Sequence, residues 1–498
     1  MSGLKSLARD TAIYGLSSIV GRFLNYLLVP LYTVKIAAGS GGYGVVTNLY
    51  AYTALLLVVL TFGMETTFFR FANKPGADAD AVFSTSMTVV GGLCAVFLAV
   101  VLGFLHSVAG ALGYDEHPEW VSMMACVVAL DALQAVPFAL LRYRGRALKF
   151  AGLKLLFVVL NILLNLLYFV VLPALHTRGA NTVLPYNPAV GVGYVFGLNL
   201  LCTGLISFAF VGELRSIHWR VDVRLLRQMI AYAWPILVLG IAGILNQTAD
   251  KMLFPLVRGD GGTVELGIYG ACVKIAMIMA MITQAFRYAY EPFVFAQSGE
   301  RGSGQSYAAA MKYFVVFTLL AFLCVMGWMD VLQHLIGRDY REGLRVVPIV
   351  MAAEIMMGVY FNLSFWYKLI DRTIWGAWFS LAGCAVLVGV NILFIPRYGY
   401  MACAWGGVAG YGTSMLLSYF VGQRKAPVAY PLRSIGVYVL VAAVLYALMC
   451  LWPREWPAWL RVVLNTLLIG VYAVRVVRCD LPLSALPVIG KHFQQRKS

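Results

Sequence analysis

The stretch SIVGRFLNYLLVPLYTV, Ser18 to Val34, is apolar enough to lie in lipid yet holds Arg22 near its middle. An ionisable group at that depth is costly unless it faces water or a partner, so the segment is more than a membrane anchor. The whole chain shares its character. Of 498 residues, 61% are hydrophobic and only 12% charged, with a mean hydropathy of +0.80. A soluble protein needs more polar residues to cover its surface. Apolar runs of about 20 residues, the length that crosses ~30 Å of hydrocarbon as a helix, recur from end to end. The ten-residue alternation of a membrane β-barrel is absent. The expected fold is therefore all-α and polytopic.

The basic start MSGLKSLARD resembles a signal-peptide n-region, but the apolar run after it is too long and is broken by Arg22, which predicts a retained first helix. Eight of the nine cysteines lie in apolar runs and no C-x-x-C occurs, so neither a disulfide framework nor a zinc site is indicated. The six histidines have no ligand spacing, and no Walker sequence is present. No cofactor is expected, and no enzymatic constellation is visible.

Fourteen spans are predicted, at about 9–33, 43–68, 81–106, 119–141, 152–174, 190–212, 229–253, 264–286, 311–329, 346–367, 375–395, 400–421, 433–452 and 457–476. An even count puts both termini on one side. The loops of that side hold 26 of the 38 basic residues, with the dense cluster RYRGRALKFAGLK among them, against nine on the other side. The positive-inside rule then places both termini in the cytoplasm. Basic loops facing an anionic leaflet account for the +16 charge without nucleic acid. The three remaining cations, Arg22, Lys251 and Lys274, fall inside spans.

An internal repeat is visible at an offset of 226 residues. It carries Tyr43-Gly44 onto Tyr269-Gly270, and Asn165 before Pro173 onto Asn391 before Pro396. The expected organisation is two six-helix lobes, 1–212 and 213–421, with a helix pair and tail at 422–498. An even number of spans between repeats makes them parallel, a design in which substrate binds between the halves and access alternates.

Polar residues at membrane depth follow the same pattern. Arg22 shares a helical stripe with Tyr14, Ser18 and Asn25. Asn246 stacks with Asp250, and Gln247 with Lys251, in NQTADK. Asp131 precedes Gln134 in span 4, and Glu354, Gly358 and Asn362 line one side of span 10. The offset maps Asn25 onto Lys251 and Asn48 onto Lys274, and brings Asp131 within three residues of Glu354. A shared central cavity is one account; interhelical ion pairing among three cations and three anions is the other. For Asp250 and Lys251 a structural pair competes with substrate contact. Arg287 and Glu291 stack at i,i+4 and read as a local ion pair.

The segments GYGVVTNLYAY, FGMETTFFRFAN, LDALQAVPFALLRYRGRALKFAGLKL, AFRYAYEPFVFA, GVYFNLSFWYKLIDRTIWGAW and NILFIPRYGYMACAWGGVAGYG, in this order, resemble the multidrug/oligosaccharidyl-lipid/polysaccharide (MOP) exporter superfamily, and within it the Wzx-type polysaccharide and O-antigen flippases. The resemblance covers nearly the whole chain. It implies a MATE-like fold and a flippase that moves a polyprenyl-pyrophosphate-linked glycan across the bacterial inner membrane without ATP. It also implies membrane lipids and polysaccharide polymerase machinery as partners, with no nucleic acid. Arg22, Asn25, Asn48, Lys251 and Lys274 would then line the substrate cavity, Arg22 offering a guanidinium fork to pyrophosphate. Asp131, Asp250 and Glu354 would be cavity carboxylates or would couple transport to a proton or sodium gradient. Two extra helices resemble the lipid II flippase branch, where they form a groove for the lipid tail. The competing readings are a cation-coupled multidrug antiporter and a lipid II flippase.

Overall fold

The structure is a computed structural model that describes residues 24, 26, 28–179, 184–215, 222–296, 303–369, 372, 374–453 and 455–480. Every regular element among them is helical. Lipid offers no hydrogen bonds, so a segment that crosses it must satisfy its backbone internally. In chain order the principal helices are α1 (Leu28–Lys35), α2 (Gly42–Thr61), α3 (Met64–Ala72), α4 (Ala79–Gly103), α5 (Pro118–Tyr143), α6 (Ala147–Leu166), α7 (Gly193–Phe208) and α8 (Val223–Arg258). There follow α9 (Gly262–Ala296), α10 (Ser303–Gly327), α11 (Val347–Leu363), α12 (Ile374–Tyr398), α13 (Tyr400–Lys425), α14 (Leu432–Cys450) and α15 (Ala458–Cys479).

Among the described residues, 11 helices are long and apolar enough to cross a membrane. Three of the expected spans fall outside that set. The first lies mostly outside the described residues and shows only its end as α1, so Tyr14, Ser18, Arg22 and Asn25 are not described. The sixth is α7, with 16 residues. The twelfth is α13, with 26 residues but diluted by glycine, serine and threonine. The chain is a multi-pass membrane protein.

Local chemistry moves several boundaries away from the sequence expectation. The expected helix 43–68 is broken between α2 and α3, because Phe62 (φ 49°) and Gly63 (φ 65°) both turn left-handed. Helix α6 begins at Ala147, two residues after the left-handed Gly145 and five before the expected start at 152. It runs on through a π-helical turn, Leu167–Val171, into Leu172–Thr177. Pro173 has no N–H for the carbonyl four residues back, and the wider turn accommodates the gap. Helix α8 has 36 residues, about 54 Å, and so outlasts the hydrocarbon. Asp222 caps it by accepting from the backbone N–H groups of Arg224 and Leu225.

The chain divides into two compact units, Met1–Ala271 with Asn391–Ala402, and Cys272–Val390 with Cys403–Ser498. In the first unit, Met64, Phe68, Phe83, Ala132, Val136 and Met229 form the core between α3, α4, α5 and α8. The same unit holds a close helix crossing. A Cβ on Gly44 would lie 1.7 Å from the Thr263 carbonyl oxygen, and one on Gly270 would lie 2.6 Å from Thr47 Oγ1. The glycines of both Tyr-Gly pairs therefore lie at a single crossing of α2 with the start of α9, Gly44 against Thr263 and Gly267, and Gly270 against Thr47. Without side chains there, the backbones approach closely enough for packing to hold them in lipid.

In the second unit α14 and α15 pack on α10 through Phe314, Leu323, Tyr438, Leu445 and Tyr472. Both ends of this contact are fastened. At one end Asn465 Nδ2 donates to the Gly327 carbonyl (3.0 Å), an orphan acceptor at the α10 terminus, while Arg461 pairs with Asp330 (3.0 Å). At the other, Asp480 accepts from Lys312 and from the Tyr438 hydroxyl, and its carbonyl accepts from Tyr313 (3.1 Å). Burial alone would raise the Asp480 pKa, but the hydrogen bonds from Lys312 and Tyr438, with the charges of Lys312 and Arg475, outweigh it and hold the carboxyl below its ordinary value.

A depressed carboxyl stabilises the fold fully at neutral pH, and that contribution is lost as pH falls through the lowered value. Asp480→Asn is expected to lower the melting temperature in detergent by several degrees at pH 7, with the gap from wild type closing in acid; equal melting at pH 7 contradicts the clamp. Gly44→Ala should prevent accumulation of folded protein, whereas Gly92→Ala, where a Cβ meets nothing within 4 Å, should leave it unchanged. Size-exclusion profiles of the two variants check this.

Candidate functional site

Helix α8 contains Pro255, which lacks an N–H and so leaves the carbonyl of Lys251, four residues earlier, without its helical donor. Asn48 on α2 supplies one: its Nδ2 donates to the Lys251 oxygen at 2.7 Å. Asn48 is buried, and its Oδ1 accepts from the Tyr114 hydroxyl at 2.7 Å. The Tyr52 hydroxyl donates to the next carbonyl, Met252, at 3.3 Å. On the same turn Lys251 Nζ donates to both oxygens of Asp250 (3.0 and 3.1 Å) and to the Gln247 carbonyl (3.0 Å). The Tyr269 hydroxyl donates to Asp250 Oδ2 at 2.8 Å. Three of the sequence candidates, Asn48, Asp250 and Lys251, thus belong to one hydrogen-bonded cluster in the first unit.

Asp131 anchors a second cluster in that unit. It lies on α5, part-buried, within electrostatic reach of Lys154 on α6 and Tyr50 on α2. In the same unit, buried amides are satisfied by neighbouring groups, mostly across helices. Gln134 Nε2 donates to the Thr203 carbonyl (2.9 Å) and to Ser207 Oγ (2.8 Å), and Asn199 donates to the Tyr50 hydroxyl. Asn165, the repeat partner of Asn391, accepts from the Tyr32 hydroxyl at 2.8 Å and donates to the Asn161 carbonyl at 2.8 Å. Asn391 is fully buried, yet neither of its amide atoms has a hydrogen-bond partner among the described residues.

The other candidates lie in the second unit or outside the described residues. Lys274 on α9 and Glu354 on α11 are part-buried, and both have interactions in the fold. Along the Glu354 stripe, a Cβ on Gly358 would lie 2.2 Å from Phe314, so α10 and α11 touch there. Arg287 lies 4.9 Å from the Phe361 ring centroid; the side chain of Glu291 is outside the described residues, as are Arg22 and Asn25.

Sequence reasoning misses Lys154. Its segment, RYRGRALKFAGLK, reads as a basic cytoplasmic loop with Lys154 at the edge of the span expected from 152, but the early start of α6 carries Lys154 two turns into the span Ala147–Thr177. The periodicity holds the signal: Ala147, Ala151, Lys154, Val158, Asn161 and Asn165 share one helical stripe. Most of the rest of that cluster is engaged at the helix ends. Arg142 pairs with Glu65, Arg144 with Asp80 (2.9 Å), and Lys149 with Glu213 (2.6 Å). No group of three or more His, Cys, Asp or Glu side chains able to hold a metal occurs among the described residues.

These clusters bind backbone and charge within the membrane. They present carboxylates, ammonium groups and amides, groups that can recognise a polar molecule. Replacing Asn48 by Leu orphans the Lys251 carbonyl and should cost about 1–3 kcal/mol. In a Pro255→Ala background α8 recovers its own donor, and the same change should cost less by ~1 kcal/mol. Equal costs in both backgrounds, read from detergent melting, contradict the carbonyl account.

A sequence family described as "Polysaccharide biosynthesis protein" matches residues 40–343. No curated protein matches the chain. Among solved structures, the chain is similar to "Lipid II flippase MurJ, inward closed conformation" at 12% identity and a TM-score of 0.72, with 93% of this chain and 98% of that one covered. It is also similar to an "inward-facing conformation of a multidrug resistance MATE family transporter of the MOP superfamily" at 14% identity and a TM-score of 0.63, with 86% and 99% covered. A third is an "outward-facing conformation" of a transporter described in the same words, at 15% identity and a TM-score of 0.55, with 86% and 96% covered. At these identities the likeness is one of fold.

Proposed function

Since the chain belongs to the polysaccharide biosynthesis protein family, we propose that it is a flippase that carries a polyprenyl-pyrophosphate-linked oligosaccharide across the bacterial inner membrane by alternating access, with both termini cytoplasmic. The family match over residues 40–343 is the observation that carries this reading, and the MurJ-like fold agrees with it. In this reading the chain is of the Wzx type, works without ATP or a cofactor, and hands its glycan to polymerase machinery. Its halves are the repeats 1–212 and 213–421, and the α14–α15 pair is an addition beside α10.

The chemistry follows from the charged groups. A pyrophosphate leaving water for a low-dielectric cavity needs cations already in place, because charge-assisted hydrogen bonds replace its hydration. This reading assigns Arg22 and Lys274 to it and Asn25 as a neutral donor, while the Asn48 amide is committed to the Lys251 carbonyl and Tyr114. Lys251 adds little to this charge, since its ammonium donors are met by the Asp250 carboxylate and the Gln247 carbonyl. The amphiphile moves because the polar head gains these bonds while its tail stays in lipid.

Mass spectrometry of copurifying lipids tests the reading. Wild type should be enriched in polyprenyl-pyrophosphate glycans, and Arg22→Ala or Lys274→Ala should lose them while remaining folded. Enrichment in neither wild type nor variants overturns it. A cation-coupled drug antiporter is the second reading, favoured by two carboxylates at membrane depth, Asp131 and Glu354. Drug resistance conferred on an efflux-deficient host, abolished by Asp131→Asn or Glu354→Gln, would select it. Rescue of a strain lacking peptidoglycan-precursor export would select a lipid II flippase instead.

A further inference from the structure

Lys154 breaks the pattern of its own helix face. Ala147, Ala151, Val158, Asn161 and Asn165 on the same stripe are buried, whereas Lys154 is exposed. Lys154 is thus the accessible position on an otherwise buried stripe. Tyr50 on the adjoining α2 behaves alike, with 36% of its surface accessible from mid-span. Asp131, part-buried on α5, lies within electrostatic reach of both.

The two charges are held apart. Lys154 Nζ sits 4.0 Å from the Phe138 ring centroid, a cation–π contact that fixes the ammonium. Phe138 is two turns from Asp131 on the same face of α5. Asp131 and Lys154 feel each other electrostatically but lie beyond ion-pair distance, and among the described residues neither side chain makes a hydrogen bond. The next charges beyond Lys154, Glu65 and Arg142, pair with each other. Opposite charges in a low-dielectric interior gain most by closing on one another, so a pair kept open leaves room for a third group.

The chemistry of that group is constrained from both sides. It must donate hydrogen bonds to a carboxylate and accept them from an ammonium. It must also carry little net charge, since the pair is itself neutral. A phosphate meets Lys154 but is repelled by Asp131, and a metal cation meets Asp131 but is repelled by Lys154. A sugar ring satisfies both, with adjacent hydroxyls donating to Asp131 and hydroxyl or ring oxygens accepting from Lys154. We propose that Asp131 and Lys154 form a subsite for a neutral sugar ring, beside the Tyr50 hydroxyl. This assignment rests on the flippase reading and specifies how its glycan, as distinct from its pyrophosphate, is recognised.

The experiment uses the full chain in lipid nanodiscs and two probes: the oligosaccharide-bearing polyprenyl pyrophosphate extracted from cells, and polyprenyl pyrophosphate without sugar. Lys154→Met and Asp131→Asn, which preserve side-chain shape, should each weaken binding of the sugar-bearing lipid about tenfold or more, with melting temperature unchanged. Binding of the sugar-free lipid should not weaken in either variant. If Lys154→Met weakens both lipids equally, Lys154 serves the phosphate and the subsite assignment is overturned. It is equally overturned if neither variant affects the sugar-bearing lipid, or if wild type binds the two lipids alike. Binding of neither lipid by wild type removes the flippase reading as well, which separates that failure from the others.

Discussion

The carbonyl oxygen of Lys251 has no donor within its own helix, and the first unit is arranged around filling that vacancy. Pro255 creates it, and in lipid there is no water to repair it. Asn48 reaches from α2 to supply the hydrogen bond, and Tyr114 holds the amide in the orientation that lets it donate. The bond fixes α2 against α8 at one depth, and the Tyr269–Asp250 bond ties the start of α9 to the same turn. Proline in a transmembrane helix is often discussed as a hinge. Here its effect is to make one helix dependent on another.

Close approach makes such bonds geometrically possible. A side-chain amide spans only a few ångströms, so α2 and the start of α9 must nearly touch, and Gly44 and Gly270 permit that. Apolar side chains gain little by leaving lipid for protein, so small residues and interhelical hydrogen bonds replace the hydrophobic effect as the source of order. The second unit reaches the same end with larger groups. Its α14 and α15 are fastened to α10 by Asn465 at the Gly327 carbonyl and by Asp480 at Lys312. In both units the fastening points are polar groups at helix ends or helix breaks, where a backbone or a charge would otherwise be unsatisfied.

The fold class was legible in the sequence because hydropathy over about 20 residues is a direct consequence of bilayer thickness. The two Tyr-Gly pairs were legible as well, although only the structure shows that both glycines lie at one helix crossing. Boundaries were less so. Nothing in a hydropathy window marks the left-handed pair at Phe62 and Gly63, or the start of α6 at Ala147, since both depend on backbone dihedrals. The partners of the site residues were not legible at all. Sequence spacing showed that Asp250 and Lys251 are adjacent, but not that Tyr269 would choose Asp250 or that Asn48 would choose a backbone oxygen. Arg22 and Asn25, prominent in the sequence, lie outside the described residues.

Placing Lys154 two turns inside α6, and not at its edge, changes the electrostatic account of the protein. With three cations and three anions the ionisable groups at membrane depth sum to zero; with Lys154 the cations outnumber the anions by one. The count matters less than how the charges are engaged. Lys251 donates to a carboxylate and a carbonyl, so its charge is neutralised locally and has little reach. Lys154 and Asp131 oppose one another without touching, so their fields are directed into the space between them. For the flippase proposed, which must release what it binds, the second arrangement serves better: a closed ion pair must be broken before it can bind, and an uncompensated charge holds its ligand too firmly. An open pair held by Phe138 and the helix backbones is already organised for a polar, uncharged group, and it returns to a state of balanced charge when that group leaves.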